Sequence, residues 1–252
     1  MIDGPILVIS SGMRTGSTLM QRLISSHKDI FVWGEFSIFK ELHQIYKKYN
    51  NRNIDCSKFL DSYFERNDVE HGPNANIMPS SINNSIRMFL DNYYLSDITK
   101  TKIWGVKHTD SHPDYLHMME DIYDDVYIIH LTRNPLDVIR SLYGFYDNKN
   151  CVVDSFIKRN MDIWFRINSM FLTNKFRNYK LFKYEDIKNK TDFINSLASF
   201  LDINVDDLNS NVLNKVINST RKDIDDNVLL SKHKDIFNYK MNNLIDMYYR
   251  GI

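Results

Sequence analysis

The fold is decided by the stretch Pro5-Ile6-Leu7-Val8-Ile9-Ser10-Ser11-Gly12-Met13-Arg14-Thr15-Gly16-Ser17-Thr18-Leu19, in which an apolar run passes through a small-residue turn into a helical pattern. Such a strand–turn–helix junction directs backbone N–H groups and the positive end of a helix dipole at one spot, which suits an anion. Gly12 and Gly16 permit a tight turn and close approach of a ligand to the backbone. Arg14 adds a guanidinium whose donors match phosphate or sulfate oxygens. We therefore predict an anion cradle formed by Gly12, Met13, Arg14, Thr15, Gly16, Ser17 and Thr18.

The composition is that of a neutral globular chain of 252 residues. The 32 Lys and Arg residues balance 32 Asp and Glu residues, which removes the compositional argument for binding nucleic acid or an anionic membrane. Two cysteines, Cys56 and Cys151, are too few for a disulfide framework. No stretch is long and apolar enough to span a bilayer, and no secretory leader is evident. We expect a cytoplasmic protein that neither binds nucleic acid nor inserts into a membrane.

Strand-like and helix-like segments alternate along the rest of the chain. Core strands are predicted at residues 103–107, 126–132 and 179–184, with a short buried strand or loop at 30–33. This alternation predicts an α/β fold, a three-layer P-loop-like domain whose central parallel sheet of four to five strands is flanked by helices. We expect a single domain over residues 1–252, with a helical insert at about 50–100 beside the site.

The opening loop departs from the nucleoside-triphosphatase pattern Gly-x-x-x-x-Gly-Lys-Ser/Thr at one important position. Ser17 follows Gly16 where that pattern has Lys, and the strand at 126–131 lacks a terminal Asp that would organise magnesium. We therefore predict an anion cradle that requires no metal. Two alternatives stay open, namely a small-molecule kinase with a degenerate P-loop and a non-catalytic nucleotide-binding module.

A second anion site is predicted where the strand at 126–132 ends. Arg133 lies at the carboxyl end of that strand, where open α/β sheets bind their ligands. Asn134 suits a helix N-cap and Pro135 the first helical position, so Ser141 falls two turns into the helix on the face of Asn134. A guanidinium and a hydroxyl that converge there would bind an anion separate from the one in the opening loop.

Two anion sites at one sheet edge suggest a ligand phosphorylated at two places. In the motifs that form these sites, the sequence resembles the sulfotransferases that use 3′-phosphoadenosine 5′-phosphosulfate (PAPS). Their donor-sulfate loop, commonly Arg/Lys-Ser-Gly-Thr-Thr-Leu, is similar to residues 14–19. Their 3′-phosphate motif, an Arg at a strand end and a Ser eight positions later, is similar to Arg133 and Ser141. The run through Gly34 and Glu35 resembles the opening of tyrosylprotein sulfotransferases and related carbohydrate and bacterial enzymes.

The resemblance implies transfer of a sulfuryl group from PAPS to a hydroxyl of a carbohydrate, a peptide tyrosine or a small molecule. It implies that Glu35 is the general base and that Arg14 and Lys107 stabilise the charge that develops during transfer. The donor-binding residues that it implies beyond the cradle are Arg133, Ser141, Tyr184, Ser219 and Lys232.

His108 is the rival candidate for the base, because cytosolic sulfotransferases use a His two positions beyond a strand Lys. Here His108 directly follows Lys107. Since neighbours on a strand point to opposite faces, the two side chains are not expected to share a pocket. Glu35 also has a simpler interpretation as a residue that complements a helix dipole, which the surrounding family landmarks disfavour. The acceptor, the oligomeric state and the aromatic side chain that contacts adenine are left open.

Overall fold

A single parallel sheet forms the centre of the protein. The computed structural model describes residues 4–35, 38–50, 79–98, 100–147, 153–214, 224–237 and 239–250. In it the strands follow the order β2-β3-β1-β4-β5, and each neighbouring pair is parallel. The strands are β1 (Ile6–Ser10), β2 (Ile30–Trp33), β3 (Ile103–His108), β4 (Tyr127–Thr132) and β5 (Asn178–Lys183). The predicted α/β fold with a parallel sheet is therefore confirmed, and the segment at 30–33 is a strand.

Helices connect and cover the strands. The described α-helices are α1 (Ser17–Ile24), α2 (Ile38–Asn50), α3 (Pro79–Leu95), α4 (Pro113–Ile122), α5 (Pro135–Asp147), α6 (Val153–Thr173), α7 (Lys190–Leu201), α8 (Asp226–Lys232) and α9 (Tyr239–Ile245). A 3₁₀ turn, Tyr184–Lys188, follows β5 directly. No described helix is both long and apolar enough to cross a membrane.

The central strand β1 is buried on both faces, which explains its unbroken apolar sequence. Ile6 and Val8 pack into one hydrophobic cluster with residues of α1 and α7. Leu7 and Ile9 pack into a second cluster, on the opposite face, with residues of α2, α3, α4 and α6. Alternation along one strand thus produces the three layers that the sequence predicted.

A third cluster joins the C-terminal helices to the helices that follow β4. Trp164 of α6 is completely buried at its centre, and Leu142 of α5, Leu229 of α8 and Met241 of α9 belong to the same cluster. The position of α8 is therefore set by packing against α5 and α6, which adjoin the predicted anion sites.

The segment that follows β2 is described in part. Glu35, whose simpler interpretation is a residue that complements a helix dipole, lies in the connection between β2 and α2, because α2 begins at Ile38. Of the helical insert expected at about 50–100, Pro79–Leu95 forms α3, and residues 51–78 lie outside the described part of the chain.

Candidate active site

The predicted site residues meet at the carboxyl edge of the sheet. Strand β1 lies between β3 and β4, so the chain moves away from β1 in one direction first and later returns to its other side. Open parallel sheets bind ligands at such a switch point, outside the carboxyl ends of the strands. The loop at 11–16 follows β1, and Glu35 comes shortly after β2. Lys107 and His108 are the last residues of β3, Arg133 follows β4, and Tyr184 follows β5.

The loop after β1 has a backbone conformation that few sequences tolerate. The φ angles of Gly12, Arg14 and Gly16 are 96°, 65° and 95°. Arg14 is a non-glycine residue in the left-handed region, where backbone strain is typical of ligand-binding turns. Gly16 is the N-cap of α1 and supplies no side-chain hydrogen bond to the helix. The first turn of α1 therefore offers backbone N–H groups to a ligand rather than to a capping side chain.

Both glycines are required by close neighbours as well as by φ. A Cβ atom on Gly16 would run into the ring of Tyr184, and one on Gly12 would lie 2.9 Å from Oδ1 of Asn160. The Thr15 side chain is fully buried and donates a hydrogen bond to the Gly12 carbonyl oxygen, 3.1 Å away. The Thr15 hydroxyl thus stabilises the turn from inside. The group of Thr15 that is left for an anion is its backbone N–H.

Asn160 of α6 holds the same loop from the other side, and the sequence analysis missed it. Its Oδ1 accepts a hydrogen bond from the Met13 N–H at 2.7 Å, and its Nδ2 donates to the Met13 carbonyl at 3.4 Å. Asn160 is only 3% exposed. A polar residue on the buried face of a helix, between apolar Ile157 and Trp164, was the available signal.

The residues of the two predicted anion sites are in direct contact, and whether they bind two separate anions stays a prediction. The Arg14 Nε donates a hydrogen bond to the Ser141 Oγ at 2.9 Å, and the Arg133 Nη1 donates to the Arg14 carbonyl at 3.0 Å. The cause is topological, because β4 is the neighbour of β1 and the Ser11 N–H donates to the Leu131 carbonyl across them. The loop after β1 and the start of α5 are therefore built as one unit.

This unit carries a concentration of positive charge. Burial, and then the charge of Arg133, lowers the pKa of Arg14 from its usual value. The Arg133 guanidinium carbon lies 4.2 Å from the centroid of the Tyr184 ring, which also packs against Gly16. Because the partly buried Arg14 guanidinium lies beside the charge of Arg133, a bound anion would stabilise its charged form.

The turn that presents Arg133 is held from both sides, by the buried Trp164 and the half-buried Glu185. The Trp164 indole N–H donates to the Arg133 carbonyl at 2.9 Å, and Glu185 Oε1 accepts from the Asn134 N–H at 2.9 Å. Burial raises the pKa of Glu185, although that hydrogen bond opposes the shift. Asn134 caps α5 as predicted, with Oδ1 3.0 Å from the Leu136 N–H.

Glu35 and Lys107 form an ion pair at the ends of β2 and β3. The Lys107 Nζ lies 3.2 Å from Glu35 Oε1, and the side chains are 12% and 51% exposed respectively. The carboxylate is thus held by a largely buried ammonium while it stays open to solvent. This geometry brings together two of the three residues to which a catalytic role was assigned.

Glu35 opens into a cavity of about 470 Å³ whose wall also includes His108. The complete lining is Met13, Glu35, His108, Thr109, Asp110, Tyr146, Phe156, Arg159, Asn160 and Ile163. His108 is the last residue of β3. Lys107 pairs with Glu35, and His108 lines the same cavity as Glu35. His108 therefore stays a candidate base on geometry.

Of the two C-terminal residues assigned to the donor site, Lys232 lies in the described part of the chain. Lys232 pairs with Asp154 at 3.3 Å and lies 4.8 Å from the Tyr143 ring centroid, and its hydrogen bond with Tyr143 is the main factor that raises its pKa. These partners belong to α5 and α6. Ser219 lies outside the described residues. The donor-binding roles of both residues stay predictions.

Arg140 of α5 is buried and held by partners inside the fold. Arg140 is 9% exposed, donates to the Ile224 carbonyl and to Asp137 at 2.9 Å each, and pairs with Asp226. Arg140 thus links the start of α8 to α5. Because Ile224 and Asp226 are distant from it in sequence, a local sequence pattern cannot predict its buried position.

The comparisons with known proteins define the class of protein. A family model described as the sulfotransferase family matches residues 5–207. Because this match spans most of the chain, the chain belongs to the sulfotransferase family, as the motifs predicted. A comparison with curated proteins finds no match.

Solved structures of sulfotransferases share the fold. The enzyme from Alicyclobacillus acidocaldarius has 14% identity and a TM-score of 0.56, over 98% of this chain and 97% of that one. The sulfotransferase domain of the Synechococcus PCC 7002 olefin synthase has 20% identity and a TM-score of 0.52, over 100% and 89%. Mouse sulfotransferase SULT7A1, solved in complex with PAP, has 13% identity and a TM-score of 0.50, over 100% and 86%. At these identities the likeness shows the fold, and the P-loop-like prediction is confirmed.

Proposed function

We propose that this sulfotransferase moves a sulfuryl group from PAPS to an acceptor hydroxyl, with Glu35 as the general base. The observation that carries the proposal is the contact between the two anion sites, in which Arg14 bonds Ser141 and Arg133 bonds the Arg14 backbone. A ligand that carries phosphate or sulfate groups at two positions would satisfy both guanidiniums at once.

The residues present suit such a donor. The N-terminus of α1 and the loop at 12–18 would hold the 5′ phosphosulfate end, and Arg133 with Ser141 would hold the 3′-phosphate. Burial, and then the charge of Arg133, lowers the pKa of Arg14, and a bound anion would favour its charged form. The bound PAP of the mouse sulfotransferase supports the same donor class for this chain.

The reaction balances without any further reagent. The acceptor oxygen forms a bond to sulfur, the bond from sulfur to the bridging 5′-phosphate oxygen breaks, and the products are a sulfate ester and PAP. Glu35 accepts the proton of the attacking hydroxyl and later returns it to solvent. Lys107 orients the Glu35 carboxylate, and Arg14 supplies fixed positive charge where the leaving oxygens gain negative charge.

Calorimetry tests the donor class directly. We expect the wild-type protein to bind PAP, and to bind it more tightly than ATP with magnesium, because PAP occupies both anion sites while ATP lacks a 3′-phosphate. Tighter binding of magnesium ATP, together with its turnover, would establish the kinase alternative. Binding of PAP without transfer to any acceptor would establish the non-catalytic nucleotide-binding module.

Glu35→Gln separates binding from chemistry, because glutamine keeps the shape of the side chain but accepts no proton. We expect PAP affinity within about twofold of the wild type and a loss of turnover of about 100-fold or more, the usual range for a general base. His108→Asn is the matched comparison. If Glu35→Gln retains turnover and His108→Asn loses it, the base is His108.

A further inference from the structure

The acceptor's chemistry can be inferred from the cavity beside Glu35. One wall is a single face of α6, because Phe156, Arg159, Asn160 and Ile163 follow one another at positions i, i+3, i+4 and i+7. The cavity volume of about 470 Å³ is in the range that holds a small molecule. The cavity adjoins the cradle through Met13, so an occupant would lie between the predicted base and the donor loop.

Part of this cavity is apolar and open. The rings of Tyr146 and Phe156 stack, with their centroids 4.7 Å apart and an interplanar angle of 18°. Phe156 is 42% exposed and Met13 is 41% exposed, although both are large hydrophobic side chains. A flat apolar group that packs on Phe156 and Met13 would remove this surface from water.

The charges that line the cavity do not cancel. Glu35 is paired with Lys107, and Asp110 is paired with Arg166. Arg159 is exposed on the α6 face and forms no ion pair with any residue in the described part of the chain. Both carboxylates of the lining are thus neutralised by cations, while the guanidinium of Arg159 is left over as a site for an anion.

We propose that the acceptor is a small alcohol or phenol with a flat apolar body and a carboxylate, and that Arg159 binds this carboxylate. The proposal rests on the proposed function, since it assigns the acceptor side of the same site. The apolar body packs against Phe156 and Met13, the carboxylate pairs with Arg159, and the hydroxyl is directed to Glu35. Arg159 is then a specificity-determining residue for the acceptor and has no part in donor binding.

A pair of probes that differ in one charge tests this inference. para-(Hydroxymethyl)benzoate and para-(hydroxymethyl)benzamide have nearly the same shape, and both are titrated into the complex of the full-length protein with saturating PAP. We expect the benzoate to bind at least tenfold more tightly than the benzamide. Arg159→Gln should reduce this ratio to within twofold, and Arg159→Lys should retain part of it because the charge remains.

Lys158→Gln is the matched control, because Lys158 is the exposed neighbour of Arg159 on α6 and does not line the cavity. It should leave the preference for the benzoate unchanged, as should the affinity for PAP in every variant. The inference about Arg159 is overturned if the two probes bind equally, if the benzoate does not bind, or if the preference for the benzoate survives Arg159→Gln. In each of these cases, binding of PAP by the wild-type protein would leave the proposed function standing. A drop in PAP affinity in Arg159→Gln also overturns the inference, because Arg159 would then belong to the donor site. Failure of the wild-type protein to bind PAP contradicts the proposed function instead.

Discussion

Gly16→Ala is the substitution whose effect the structure specifies best. Gly16 has a φ of 95°, and a Cβ atom there would meet the Tyr184 ring. The left-handed backbone costs a non-glycine residue about 1–2 kcal/mol, and overpacking against a ring costs about 1–3 kcal/mol. We expect the free energy of unfolding to fall by roughly 2–5 kcal/mol, with the lower end reached if the ring moves aside. Because the guanidinium of Arg133 lies on the same ring, we also expect the Kd for PAP to rise at least tenfold.

Urea unfolding measures the first effect and calorimetry the second. Gly34→Ala is the control, because nothing lies within 4 Å of a Cβ atom at Gly34. We expect that control to stay within about 0.5 kcal/mol of the wild-type free energy of unfolding, as for most substitutions at open positions. A Gly16→Ala protein with wild-type stability and wild-type affinity for PAP would refute the reasoning about the cradle.

Three further substitutions test other parts of the account. Arg133→Ala should raise the Kd for PAP by about 10-fold or more in calorimetry, since a charge-assisted hydrogen bond is worth about 1.5–3 kcal/mol, and an unchanged Kd would remove Arg133 from the donor site. Asn160→Ala leaves the Met13 N–H without its partner, so urea unfolding should show a loss of about 1–3 kcal/mol together with weaker PAP binding; wild-type values for both would mean that the loop needs no support from α6. Burial lowers the pKa of His130 to about 3, whereas a histidine in the unfolded chain has its usual pKa of 6.5. Between these two pH values the unfolded chain binds more protons than the folded protein. The free energy of unfolding therefore falls as the pH drops below about 6.5. His130→Gln should therefore reduce the slope of unfolding free energy against pH by up to about 1.4 kcal/mol per unit in that range, and an unchanged slope would show that His130 does not contribute.

The sequence was a sufficient guide where the physical cause of a structure is local. The apolar run before Gly12 and the apolar spacing after Gly16 specify a strand, a turn and a helix in consecutive residues, and β1 and α1 follow them closely. Asn134 and Pro135 likewise specify the start of α5. Motif spacing then placed Arg133 and Ser141 at the correct edge of the sheet, because parallel strands end together there.

The contacts that the sequence could not predict join residues that are far apart along the chain, and they depend on which strands and helices are neighbours. Only the pairing of β1 with β4 brings Arg14 to Ser141, so the two anion sites could not be recognised as one unit from their separate motifs. Asn160 supports Met13 across 147 positions of sequence. The partners of Arg140 could not be predicted for the same reason, since Ile224 and Asp226 reach it only through the packing of α8 on α5.

The transfer reaction itself is the most direct test of the central claim. Radiolabelled PAPS is incubated with the wild-type protein and fractions of a cell extract, and with Glu35→Gln in parallel, after calorimetry has shown that both bind PAP. We expect label to move to an acceptor in at least one fraction with the wild-type protein, and Glu35→Gln to transfer at most about 1% as much. Equal transfer by the two proteins would contradict the role of Glu35, and no transfer to any fraction by a wild-type protein that binds PAP would contradict the assignment of sulfuryl transfer.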